Sequence, residues 1–171
     1  TGRSWRLRER MEEKASFIPE EILNIHYDDV NPVKREILHL AYYMRDVQGV
    51  EFSANALNSL SYLTHWYKSG CQSDMDIPGT ELANLIRPFF RMGRTELAVK
   101  YGGGNSGLVF FLKTANQTLA GQPEYKFPEE EVAFIQQTLE TAWQTALRQY
   151  GNEPSNWPVR AQELVHHRTL G

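Results

Sequence analysis

Apolar residues recur at three- and four-residue spacing in several windows of this chain, and recognisable helix starts and stops bound those windows. The first strong stripe is Val33, Ile37, Leu40, Ala41 and Met44, with Leu38 beside it. Asn31 stands where a side chain caps free amides, Pro32 occupies the first helical position, and Gly49 supplies a stop. A second helix starts at Ser53 and carries Leu57, Leu60, Leu63 and Tyr67 to Gly70. The short link from Gln48 to Phe52 favours an antiparallel pair. Thr80 is placed to cap a third helix presenting Leu82, Leu85, Ile86, Phe89 and Phe90. Pro88 falls inside that pattern and predicts a kink or an early end. The best-marked helix opens at Pro128 with Glu129, Glu130 and Glu131, carboxylates that complement the helix dipole. Val132, Ile135, Leu139, Ala142, Trp143, Ala146 and Tyr150 line one face, and Gly151 ends it.

Between these windows the pattern reads two ways. Leu97 to Tyr101 and Leu108 to Leu112 flank the run Gly102 to Gly107, as two strands flank a hairpin turn. Alternatively, Ser106 caps a helix through Leu108, Phe111, Leu112, Ala115 and Leu119 to Gly121, and this reading explains more positions. Arg3 to Ala15 suits an exposed helix with a weak apolar stripe, and Pro19 to Leu23 a short helix. The expected fold is mainly α, a compact multi-helix bundle, with one β-hairpin around residues 97–112 as the alternative for that stretch. Residues 1–30 form an N-terminal helical extension, 31–151 the core domain, and 152–171 a linker with a short helix. The core is expected to draw on Ile37, Leu40, Leu60, Leu63, Leu85, Phe89, Leu112, Ile135, Leu139 and Trp143.

Composition narrows the class without naming a function. A chain of 171 residues at 41% apolar content buries one substantial core, and a net charge of -3 favours neither disorder nor a strongly basic nucleic-acid binder. The single cysteine, Cys71, excludes an internal disulfide framework and fits a reducing, cytoplasmic setting. The longest apolar run, Leu108 to Leu112, is far too short to span a bilayer. The opening Thr1-Gly2, without an initiator Met or a charged-then-apolar leader, suggests either a processed chain or a piece of a longer protein. Asn116-Gln117-Thr118 matches a glycosylation triplet, a pattern that arises often by chance.

Chemistry concentrates in one stretch. Arg87, Arg91 and Arg94 recur at four- and three-residue spacing with Lys100 nearby, the densest basic segment of the chain. Gly103, Gly104, Asn105 and Ser106 follow, small residues whose amides can turn around an anion. Together they are the candidate phosphate or nucleic-acid site, although no Lys-Ser or Lys-Thr follows the last glycine as a P-loop requires. A flexible connector is the plainer account of the glycines, and a solvated face paired with Glu129 to Glu131 that of the arginines.

Other candidates are weaker. His26, Asp28 and Asp29 lack the spacing of a metal site, and adjacent His166 and His167 do not share a helix face. Cys71 and His65 lie near one helix end, where the dipole disfavours a thiolate. Trp143 is in register with the core, whereas Trp5, Trp66 and Trp157 sit among polar residues and are candidate protein-interface anchors.

These features favour a non-enzymatic helical protein-protein interaction module, a domain of a larger protein or assembly. It would use no cofactor or metal and meet a protein partner or a second copy of itself. The alternative is a nucleic-acid or phosphate-binding module built on Arg87 to Lys100 and the glycine run.

Overall fold

Where caps and periodicity agree, the chain folds as its pattern dictates. The computed structural model describes residues 32–71, 77–88 and 95–158. The readings made for residues 1–31, for Phe89 to Arg94 and for His166 and His167 lie outside them. Among the described residues the elements are α1 (Pro32–Asp46), α2 (Ala54–Lys68), α3 (Thr80–Asn84), α4 (Leu97–Tyr101), α5 (Gly104–Gly121) and α6 (Glu129–Tyr150), then a 3-10 turn at Pro154–Asn156. The fold is mainly helical.

The hairpin alternative does not form: both of its proposed strands are helical. The deciding residues are Ala115 and Leu119, which continue the stripe of Leu108, Phe111 and Leu112 at helical period and are buried with it. Ser106 does not cap this helix. Gly103 takes the N-cap position without a side-chain bond, and Ser106 sits exposed in the first turn. Thr80 likewise lies inside α3 rather than capping it, its hydroxyl donating to the Ile77 carbonyl at 2.7 Å. α3 ends at Asn84, four residues before Pro88, where a continued helix would set the proline ring against the Asn84 carbonyl.

The frame is α2 against α6, the most extensive contact in the fold, with α1 packing on α2, α5 and α6. Ser53 caps α2 as expected, accepting from the Ala56 amide at 3.3 Å. α6 holds the same corner: Gln136 accepts the Ser53 amide at 2.9 Å, and Glu140 accepts the Ser53 hydroxyl. Buried Ser59 lies at the α2–α6 contact, where its hydroxyl donates to the Leu139 carbonyl at 2.7 Å. Two faces are turned from their expected register. α2 buries Ala56, Ser59 and Trp66 beside Leu60 and Leu63, while Leu57 and Tyr67 are only half-buried. α6 buries Glu131, Phe134 and Thr138, while Val132 and Tyr150 lie at the margin.

The segment after α6 returns to the core. Trp157 is 3% exposed, its ring centroid lies 4.7 Å from Trp143 and 5.1 Å from Tyr62, and its indole N–H donates to the Gly151 carbonyl at 2.8 Å.

Candidate functional site

The corner between α4 and α5 holds Lys100 and the glycine run of the candidate site. α4 is only five residues long and buries a single side chain completely, Leu97. Its last residue, Tyr101, lays its ring against Phe110 and Phe111 of α5, with centroids 5.8 and 5.2 Å apart. Phe111 in turn meets Phe134 of α6 edge-on at 5.8 Å. The glycines allow the chain to reverse there. Gly102 has φ 88° and Gly104 φ 71°, in the left-handed region open to glycine. A Cβ on Gly107 would lie 1.8 Å from the Gly102 carbonyl oxygen, so only hydrogen fits at that approach.

Under this corner lies a carboxylate. Glu131, in the first turn of α6, has a side chain 3% exposed. Its Oε1 accepts from the Tyr101 hydroxyl at 2.6 Å, while Oε2 accepts no hydrogen bond and faces the Lys100 ammonium at 3.7 Å. Lys100 also sits 5.1 Å from the centre of the Tyr101 ring. Burial first, and then the hydrogen bond and charge of Glu131, hold the Tyr101 hydroxyl well above its ordinary pKa, so it remains a donor. Lys100, read as a phosphate ligand, therefore spends part of its charge inside the domain.

Arg87 is exposed just beyond α3 and belongs to a different neighbourhood. Burial, and then the nearby Arg87 charge, bring the Lys34 amine of α1 down to about 8. Like charges thus come together where α1 starts and α3 ends. Arg91 and Arg94 lie outside the described residues, and so does Trp5. Of the glycine run, Gly103 is exposed, Asn105 and Gly104 are half-buried, and Ser106 is exposed at the uncapped start of α5.

The remaining candidates do not converge. Cys71 is 1% exposed and burial pushes its thiol up to about 11, which keeps it protonated and unreactive, while His65 is exposed. Trp66 is buried at 2% and Trp157 at 3%, so both spend their rings inside the domain. Asn116 lies mid-helix in α5 with its amide donating to Glu36 at 2.6 Å, which removes it as an accessible glycosylation acceptor. Among the described residues no three His, Cys, Asp or Glu side chains are placed to hold a metal. No described helix is long and apolar enough to cross a membrane.

Sequence reasoning passed over Tyr101 and Lys34, and set Glu131 among the solvated carboxylates of the acidic turn. For Glu131 a signal existed: it stands four residues before Ile135 and eight before Leu139, in register with the buried stripe. No protein-family model, curated protein or solved structure matches this chain.

Proposed function

We propose that this domain is a non-enzymatic interaction module of a larger assembly, meeting a protein partner through the α4–α5 corner. The observation that carries this reading is the exposure of Val99 at 93% and Phe110 at 56%. They are two of the three large apolar side chains left exposed among the described residues, and both lie at that corner. Covering a phenylalanine gains about 1.5–3 kcal/mol relative to leaving it in water, a gain that a partner can supply. The setting inferred is cytoplasmic, on the single cysteine.

A photo-crosslinking amino acid in place of Phe110 is expected to give a discrete adduct in extracts of the source cells. The same group in place of Gln149, exposed near the end of α6, should give none. Absence of any adduct at position 110, or equal labelling at both positions, overturns the reading.

A second reading, phosphate or nucleic-acid binding by Arg87, Arg91, Arg94 and Lys100, draws support from the proximity of Lys34 and Arg87. An anion between two cations favours the charged amine. Inorganic phosphate at low salt is expected to raise the Lys34 pKa from about 8, followed by NMR of its side-chain methylene, and Arg87→Gln should abolish the phosphate effect. A titration curve that phosphate leaves unchanged counts against this site.

A further inference from the structure

We propose that α4 is a latched flap: the Glu131 contacts of Tyr101 and Lys100 hold it over the aromatic wall of α5 and α6, and it opens independently of the rest of the domain. This rests on the reading of the α4–α5 corner as the contact face and adds a way of regulating it.

Among the described residues the flap has little else to keep it in place. Five residues are too few for a helix to hold by itself, and Leu97 is its only fully buried side chain. Two of its first amides, Ala98 to Thr95 and Val99 to Glu96, bond at 3.2 and 3.1 Å in the i to i+3 pattern of a 3-10 turn. Gly102, at φ 88°, joins it to α5 in a backbone conformation open to glycine. Local opening is drawn from short elements of this kind, with few buried apolar side chains.

Glu131 is both the latch and the reason it can release. Oε1 is satisfied by Tyr101, but Oε2 is buried without a hydrogen bond, and the Lys100 ammonium at 3.7 Å is beyond bonding distance. A buried carboxylate oxygen left unpaired carries a desolvation penalty that water would relieve on opening. That penalty is localised at the α4–α6 contact, whereas the hydroxyls of Ser59 and Thr138 in the frame are bonded. Opening would lift Tyr101 from Phe110 and Phe111 and bare a surface beside Phe134 to a partner's apolar side chain.

Native-state hydrogen exchange of the full chain, without any partner, tests the latch separately from the contact face. In the unmodified protein the amides of Ala98 to Tyr101 are expected to exchange at least about 100-fold faster than those in the middle of α2 and α6. Glu131→Gln, which keeps an acceptor for Tyr101 and removes the ion pair, should accelerate α4 exchange about tenfold and leave α2 unchanged. Lys100→Arg, whose fork reaches further toward Oε2, should slow it. The proposal is overturned if α4 exchanges only with the whole domain, if Glu131→Gln shifts α2 and α6 as much as α4, or if neither variant alters α4. A latch that fails these tests leaves the crosslinking result at Phe110 standing, and a failed crosslink leaves the exchange pattern standing.

Discussion

Trp157→Ala is expected to destabilise the domain by about 3 kcal/mol, at the lower end of the range for deleting a buried aromatic side chain. Trp157 is 3% exposed and lies within ring contact of Trp143, Tyr62 and Tyr150. The substitution leaves a void against three aromatic neighbours and removes the indole bond to the Gly151 carbonyl. Urea unfolding followed by circular dichroism gives the measurement. Trp157→Phe keeps most of the packing and loses the hydrogen bond, so a cost nearer 1 kcal/mol is expected. An interface anchor would behave differently. Its removal would leave the isolated domain as stable as before, and its fluorescence would be quenched readily by iodide.

The same tryptophan shows how far sequence patterns reach in this fold. The helices starting near Pro32, Ser53 and Pro128 were legible because local signals agree: capping residues, proline or carboxylates in the first turn, and a sustained 3.6 period. Their exact faces were less legible. On α2 the pattern favours Leu57 and Tyr67 because they are large and apolar, yet Ser59 is buried through a bond to a carbonyl on α6. Trp66 and Trp157 stand among polar neighbours in sequence, and only the returning 3-10 turn brings Trp157 onto Trp143. Long-range contact decides such cases, and single-sequence periodicity does not contain it.

The prominence of one stretch was legible in the sequence, and the contacts its residues make were not. The stretch from Arg87 to Leu112 stands out by its cations and glycines, and the exposed corner does fall there. What the residues do there depends on Glu131, which local reasoning places in a solvated acidic turn with Glu129 and Glu130. Those two are exposed, and Glu131 alone turns inward to meet Tyr101. The glycines, read as an anion cradle or a flexible connector, satisfy two backbone demands: positive φ at Gly102 and Gly104, and close approach at Gly107.

Gly107→Ala turns that last statement into a test with a large effect of unusual sign. Inside a helix, Gly to Ala ordinarily gains about 1 kcal/mol from propensity. Here the new methyl would sit 1.8 Å from the Gly102 carbonyl oxygen and 3.2 Å from that of Tyr101, and both neighbours are backbone atoms. Relief requires α4 and its turn to move off α5, which also pulls the Tyr101 hydroxyl from Glu131. The net loss is expected to be about 3 kcal/mol or more, since overpacking against backbone costs the propensity gain and the displaced contacts together. Gly103→Ala is the control: φ is -82° and nothing lies within 4 Å of its Cβ. It should be neutral or raise stability by about 0.5 kcal/mol through the unfolded chain. Equal, small effects at both positions in urea unfolding would mean that the glycine run is a slack connector, and would remove the tight corner on which the placement of Phe110 and Val99 depends.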